Sequence, residues 1–468
     1  MKKAFAFLLS IASLTSFGMT ISRFNVMTPA KADDVRVISS DADFESFKTD
    51  LLTDEMIGKK IVLDADINYD ITSSLNSPRE QAFRGEFDGS GHSITISVSA
   101  DSENYISIFR CIGSQGEIHN LTAKGTVTGN GYIGGIASQN YGLIQGCINE
   151  ATINATGQYV GGIVGILNGS GVENNHARVI NCENYGSVTT TYNTSGSLGI
   201  GGIVGYSYGN ASVINSSNYA SVTAGTAPFG VGGVLGVMKA GSSAGGDIYI
   251  TNSYNGGTVH GDRYVGGILG HIDSNNAKAI HLSGCLNAGD IECTSKSKGY
   301  DGQLIGNGKN DSSFTIEDSA ILGSIDAKTT SNVGDIVGYP KANTFTGVAV
   351  ISTTGVSNNV KELIKLVRHF NCDIDETYKA QLTNALASLS SEEEVLLSGV
   401  TYWDKSEASD FDYISATNYI LGLGHGPTAM RMYMKIETES VLPFVVSISA
   451  SLLIGLAIMV IIHRRRTN

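Results

Sequence analysis

The sequence predicts an all-β protein, a right-handed parallel β-helix (solenoid) of about eight coils, followed by a small helical domain and one transmembrane helix. Two repeated phrases predict the solenoid. A glycine-rich phrase such as YVGGIVG, from Tyr159, recurs about every 33 residues, and a phrase such as NCENYGSV, from Asn181, recurs between its copies. Periods of about 20–50 residues are typical of stacked repeat architectures. The repeats carry no apolar stripe at helical spacing, so we expect strands rather than helices.

Composition narrows the classes of protein. Of 468 residues, 57 are glycine and 6 are proline, and 16% are charged, which excludes collagen-like and highly charged disordered chains. The formal net charge of −13 argues against nucleic acid as a partner, because a phosphate backbone is bound by basic surfaces. The 6 cysteines are too few for a disulfide-dense scaffold.

The two ends of the chain predict its location. Residues 1–32 combine two lysines, an apolar run and an Ala-Lys-Ala site, which is the pattern of a secretory signal peptide. Residues 441–462 carry no charge and are long enough to span a bilayer. The tail, residues 463–468, contains Arg464–Arg466, the basic flank expected on the cytoplasmic side. We therefore expect a single-pass type I membrane protein at the cell surface of a Gram-positive-type bacterium, with its ectodomain outside.

Residues 33–82 are expected to cap the solenoid. A predicted helix places Phe44, Phe47 and Leu51 on one face, and Lys60–Asp64 is a predicted strand. Such a cap covers the end of a stack, where strand edges are otherwise unpaired.

The repeats occupy residues 83–350. The first glycine of each copy of the glycine-rich phrase is Gly134, Gly161, Gly201, Gly232, Gly266, Gly302 or Gly334. The last two copies lack the second glycine, which we expect of capping coils. The second phrase aligns into three columns: Cys147, Cys182, Ser216, Ser253 and Cys285; Asn149, Asn184, Asn218, Asn255 and Asn287; and Ile153, Val188, Val222, Val259 and Ile291. We expect the Ile/Val column in the core and the Asn column at turns, since asparagine tolerates a left-handed backbone and its amide can bond along a stack.

These phrases resemble the GLUG-motif repeats of bacterial surface proteins. The resemblance is carried by GGIVG followed by N-C-x-N-x-G-x-V, and by FRGEFDGSGHSITI from Phe83. It implies an exported β-solenoid of the adhesin-like kind. It implies no catalytic residue and no cofactor.

Residues 351–440 form a predicted helical, membrane-proximal domain. Apolar residues at helical spacing predict two helices, and a third is expected from about Asp410 to Leu421. The apolar positions are Val360, Leu363, Ile364 and Val367 in the first helix and Tyr378, Leu382, Leu386 and Leu389 in the second.

The sequence contains no H-E-x-x-H or Walker phrase and no CxxC spacing, and its histidines are scattered. We therefore expect neither a metal site nor an enzyme. A polysaccharide-active β-helix enzyme is the alternative, because Asp262, Arg263, Asp273 and Asp301 could stack close together. The Cys147 slot exchanges with serine, which indicates a small buried side chain, although a disulfide between Cys147 and Cys182 on adjacent coils is also open.

The leading functional prediction is a non-enzymatic, adhesin-like binding protein that displays ladders of Asn, Ser, Thr and Tyr to an extracellular glycan or a host or surface protein. A structural spacer is a further alternative. The longest interval, between Gly161 and Gly201, predicts projecting loops at 168–177 and 189–198, and insertions of this kind often bind. Tyr192, Asn193 and Thr194 are the candidate ligand-binding residues, because they combine a ring with hydrogen-bonding groups.

Overall fold

The computed structural model describes residues 35–70, 82–169, 176–194, 199–226, 229–239, 248–273, 280–308, 314–317, 319–339, 345–346, 348–350, 355–368 and 376–391. They form a solenoid of four stacked sheets, and the strands of each sheet pair in parallel. This confirms the predicted β-helix, whereas its handedness and coil count stay predictions.

The strands are short and repeat at corresponding positions of successive coils. Sheet A contains Val35–Ile38, Lys60–Leu63, Glu86–Asp88, Glu117–His119, Leu143–Gln145, Ala177–Ile180, Ala211–Ile214, Ile248–Thr251, Ile280–Ser283, Phe314–Glu317 and Phe345–Thr346. Sheet B contains Ile67–Asp70, Ser93–Asn104, Thr122–Gly131, Ile148–Asn149, Thr152–Ala155, Glu183–Asn184, Val188–Thr190, Ser217–Asn218, Val222–Thr223, Tyr254–Asn255, Val259–Gly261, Leu286–Asn287, Ile291–Cys293, Ala320–Ile321, Ile325–Ala327 and Ala349–Val350. Sheet C contains Phe109–Ile112, Ala137–Asn140, Val164–Gly169, Val204–Gly209, Leu235–Lys239, Leu269–Ile272, Ile305–Asn307 and Val337–Tyr339. Sheet D contains Val160–Gly161, Ile200–Gly201, Phe229–Gly232, Arg263–Gly266, Asp301–Gly302 and Val333–Gly334.

The repeat columns of the sequence are stacked positions in the solenoid. Val188 pairs in register with Ile153 on one side and Val222 on the other, and all three side chains are fully buried. The Cys/Ser column is buried as well, which confirms a slot for small side chains. Cys147 and Cys182 are free thiols, so the structure contains no disulfide between them.

A continuous asparagine ladder (Asn149, Asn184, Asn218, Asn255 and Asn287) runs through the interior. The Nδ2 of each of the first four donates to the Oδ1 of the next asparagine at 2.7–2.8 Å and to a main-chain carbonyl of its own coil. These amides are fully buried, and hydrogen bonds replace the water that they lose. The amides therefore bond along the stack, as predicted.

Two predictions about asparagine were wrong. The ladder residues lie in strands, and the left-handed turn residues are instead Asn120, Asn181, Asn215 and Asn252, with φ of 52–56°. The ladder is also not part of a displayed polar surface, because it is buried. Its donors and acceptors satisfy one another, which makes the interior a favourable place for it.

The two repeated phrases meet at this ladder. A Cβ atom on the second glycine of the phrase, for example Gly162 or Gly202, would clash with the amide of Asn184 or Asn218. In the copy at Gly302 this glycine is Gln303, whose Oε1 accepts a hydrogen bond from Asn287. The next coil has Ile321 in register with Asn287. Gln303 thus supplies the acceptor at the point where the ladder ends.

Helix α1 (Asp41–Asp50) lies across the N-terminal end of the stack. Ser40 is its N-cap and accepts a hydrogen bond from the Asp43 amide at 3.2 Å. The Phe47 ring lies 5.7–6.4 Å from three phenylalanine rings of the first coils, at 83, 87 and 109. This confirms the predicted helix with its buried phenylalanine face, as well as the predicted strand, which ends at Leu63.

Helices α2 (Asn358–Arg368) and α3 (Glu376–Ala387) confirm the first two predicted C-terminal helices. Helix α2 contacts the flank of the solenoid, where Lys361 Nζ lies 2.9 Å from Asp290 Oδ2 and the Lys365 ammonium lies 5.8 Å from the Tyr185 ring. Burial opposes ionisation of Asp290, but hydrogen bonds from Lys361 and Ser324 outweigh it and lower its pKa.

No helix in the described ranges is both long enough and apolar enough to cross a bilayer. The predicted signal peptide, third C-terminal helix, transmembrane segment and tail all lie outside those ranges.

Candidate binding site

A column of tyrosines follows one corner of the solenoid, directly before sheet D or its equivalent position. Its members are Tyr105, Tyr132, Tyr159, Tyr264 and Tyr300, all with φ between 58° and 66°. A left-handed backbone costs a residue with a Cβ about 1–2 kcal/mol. The same corner is formed by Gly230 and Asn332 in other coils, where the left-handed conformation costs less. The turn alone therefore does not require tyrosine.

The rings of this column contact one another along the stack. Tyr132 lies between Tyr105 and Tyr159, with centroid distances of 4.3 and 5.0 Å. Further along, Tyr300 lies 5.0 Å from Tyr264. All five residues are partly exposed, so the column forms part of the protein surface at this corner.

The column is interrupted where Gly199 and Gly230 replace tyrosine, and other tyrosines gather at this place. Tyr206, on the neighbouring strand of sheet C, lies 4.8 Å from Tyr159. Tyr208 follows on the same strand, in register with Lys239. The residue-189–194 segment of the longest repeat brings Tyr192 to the same corner, where its carbonyl packs against Gly225 of the next coil.

We call Tyr159, Tyr192, Tyr206, Tyr208 and Asp273 the tyrosine cluster. Burial raises the pKa of Tyr159, and nearby Tyr132, Asp273 and Tyr192 act in the same direction. Burial also raises the pKa of Tyr206, with contributions from Tyr159, Asp273 and Tyr208. Both phenols therefore stay protonated at neutral pH and can donate hydrogen bonds.

Lys239 adds a positive charge beside this cluster. Its Nζ lies 3.7 Å from Asp273 Oδ2, and its side chain is 45% exposed. The cluster and Lys239 thus combine aromatic rings, hydroxyl donors, a carboxylate acceptor and an ammonium donor from four successive repeats.

The predicted site residues lie at the edge of the cluster. Tyr192 is half-buried, and Asn193 and Thr194 are exposed. The Tyr192 amide donates to Thr190 Oγ1 at 3.2 Å, which holds the segment against its own coil. Residues 195–198 and 170–175 of the two predicted loops lie outside the described ranges.

Both loops are shorter than predicted, because strand pairing continues into them. Asn168 is part of a sheet C strand and pairs with Tyr208, and Ala177 starts the next strand. Thr189 and Thr190 likewise belong to sheet B.

The spacing of the glycines alone does not predict the tyrosine column. Its signal is present in the sequence, because a tyrosine stands two residues before the first glycine of four copies, at Tyr132, Tyr159, Tyr264 and Tyr300.

Two of the carboxylates considered for an enzyme interact, because Asp262 adds to the effect of burial in raising the pKa of Asp301. Asp262 Oδ2 lies 3.3 Å from Arg263 Nε, and Asp273 faces Lys239. Asp301 is fully buried in the core column of sheet D, between Val265 and Val333 in the stack. Among the residues that the structure describes, no group of three or more His, Cys, Asp and Glu side chains could hold a metal ion.

Comparisons with known proteins give limited overlap. No protein-family model matches the chain. A 95-residue segment, 20% of this chain, is 33% identical to halomucin of Haloquadratum walsbyi (strain DSM 16790 / HBSQ001) and spans 1% of the length of halomucin. A solved structure from Bacteroides ovatus, described as "a putative immunoglobulin A1 protease", superposes with a TM-score of 0.45 and 21% identity over 71% of this chain and 87% of that chain.

Proposed function

We propose that this protein is a surface-displayed, membrane-anchored binding protein of the adhesin-like type, and that the tyrosine cluster contacts its ligand. In this proposal a right-handed solenoid of about eight GLUG-type coils presents the cluster outside the cell. The partner is an extracellular glycan or a surface protein. No cofactor takes part.

The observation that carries the proposal is the coincidence of three irregularities at one place. The tyrosine column stops at Gly199 and Gly230, the longest repeat adds Tyr192, and the strand beside them carries Tyr206 and Tyr208. A repeat selected only for stacking would keep its regular residues here. Irregular coils with aromatic side chains at a partly exposed corner are typical of a binding face.

The chemistry of the cluster suits a sugar or an extended peptide. Ring edges and faces cover apolar C–H surface, protonated phenols donate hydrogen bonds, and Asp273 accepts them. Of the candidate carboxylates of the enzyme alternative, Asp262 contacts Arg263, Asp273 contacts Lys239 and Asp301 is buried, so we give binding precedence over hydrolysis.

The experiment is a glycan and surface-protein array probed with the full chain, followed by affinity measurements on the strongest partner. Tyr192→Ala and Tyr208→Ala are the test variants, and Tyr249→Ala, an exposed tyrosine on sheet A, is the matched control. A tyrosine at the centre of an interface contributes about 2 kcal/mol, so we expect roughly a thirtyfold loss of affinity in each test variant and none in the control.

Unchanged affinity in both test variants, with unchanged thermal melts, would contradict the assignment of the cluster. Depolymerisation of a bound polysaccharide would favour the enzyme alternative. The absence of any partner on the arrays would favour a structural spacer.

A further inference from the structure

In the part of the chain that the structure describes, the N-terminal strand of sheet A has an open edge. Its first strand, Val35–Ile38, pairs with Lys60–Leu63 on one side and with no other strand among the described residues. Unpaired edge strands expose hydrogen-bonding groups to other chains, and proteins usually cover or charge them. Here the edge is held in place, because the Arg36 guanidinium bonds Asp50 at 2.7 Å beneath it.

Exposed apolar side chains concentrate at the same end. Val35 is 39% exposed, Val37 is 52% and Ile57 is 58%, and together they are three of the five large exposed hydrophobic residues of the described ranges. A groove of about 490 Å³ opens beside them. Apolar surface on a regular strand edge is typical of a contact site.

The charges at this groove are balanced. Arg36 and Lys59 supply two positive charges, and Asp50 and Asp54 supply two negative charges, which pair within the chain. In a two-fold symmetric dimer the same surface patch of both copies is in contact, so the charges of that patch must not repel one another. Cleavage near Ala32, as the sequence predicts, would leave about two residues before the strand, which are too few to pair along it.

We infer that two copies of this chain associate head to head, by antiparallel pairing of Val35–Ile38 with the same strand of a second copy. This joins the two A sheets into one and covers Val35, Val37 and Ile57. A two-fold axis through Val37 pairs Arg36 with Ile38 of the other copy. An axis through Arg36 would instead oppose two like charges, which is unfavourable.

The axis position makes the inference testable by cross-linking. Directly opposed residues of an antiparallel pair have Cα atoms about 4.5–5.5 Å apart, which is within disulfide range. In the full chain purified in detergent, Val37→Cys is expected to form a disulfide-linked dimer under mild oxidation. Val35→Cys is the matched control and is expected to stay monomeric on a non-reducing gel, because its counterpart lies four positions away.

The mass in detergent tests the same contact without a new thiol. We expect wild-type protein and Tyr249→Lys to have the dimer mass by light scattering, and Val37→Lys to have the monomer mass. Equal cross-linking of both cysteine variants, or a dimer that survives Val37→Lys, would overturn the inference. A monomeric wild type would also overturn it, and a cross-link to residues 1–32 in uncleaved protein would identify the signal segment as the occupant.

Discussion

Replacing the buried Asp301 by valine is expected to stabilise the protein. Asp301 occupies a column that otherwise contains valine or isoleucine, between Val265 and Val333. One oxygen accepts a hydrogen bond from the Val265 amide at 3.2 Å, while Oδ2 has no partner in the described part of the chain. Valine at this position restores the apolar column and removes a poorly solvated carboxyl.

The magnitude follows from the pKa of Asp301. Burial raises it from 3.8 to about 6, and hydrogen bonds with Cys293 and Val265 offset part of that effect. A folded-state pKa above the unfolded value means that stability falls as pH rises from the unfolded pKa through the folded pKa. The shift corresponds to a loss of about 3 kcal/mol in the free energy of unfolding at neutral pH.

The assay is the thermal melt of wild-type protein, Asp301→Val and Asp301→Asn between about pH 4 and pH 8. We expect the advantage of the valine variant to grow from pH 4 to about pH 6 and then to stay constant, at several degrees in melting temperature. The asparagine variant is the control: it removes the titration but keeps a buried polar group. A valine advantage that does not depend on pH, or a wild type that is more stable at neutral pH, would refute the reasoning.

Three further predictions concern the interior and the helical flank. Asn218→Leu leaves an amide donor and an acceptor of the ladder unpaired, so we expect a loss of about 2–6 kcal/mol in unfolding free energy by denaturant titration. Gly202→Ala is expected to lower stability by about 3 kcal/mol because the added methyl meets the Asn218 amide, whereas Gly91→Ala, with no neighbour within 4 Å, should lose only about 1 kcal/mol for its positive φ. Lys361→Met is expected to weaken the packing of helix α2 against the solenoid by about 1 kcal/mol at neutral pH. The weaker packing should be measured as faster amide hydrogen exchange in the helix. The lowered pKa of Asp290 means that wild-type protein loses this contribution as pH falls through that pKa, so the two proteins should converge in strong acid.

The fold was predictable because stacking makes local sequence repeat. Each coil places the same side chain over its predecessor, so Val188 and Val222 recur at the spacing of the coil. The helix with Phe44 and Phe47 was predictable for a similar reason, since one short amphipathic element shows its own periodicity. Contacts between elements left no such signal: the docking of Lys361 on Asp290 joins positions far apart in the chain.

The candidate site was only partly predictable. The long interval before Gly201 led to Tyr192, and the structure brings that residue near Tyr159. The role of the tyrosine column could not be derived from the spacing of the repeats alone, because a tyrosine before a glycine is also common in ordinary strands. Its left-handed backbone is set by the tight corner of the coil, which is a property of the assembled stack. The burial of the Asn218 ladder was missed for the same reason, since its partners lie on other coils.

The most direct test of the proposed binding face is amide hydrogen exchange of the full chain with and without its strongest array partner. Protection is expected at the tyrosine cluster, in the segments around Tyr159, Tyr192 and Tyr206, with the outer face of sheet A around Tyr249 unchanged. Protection confined to sheet A, or to the helices beyond residue 355, would contradict the assignment of the cluster as the binding surface.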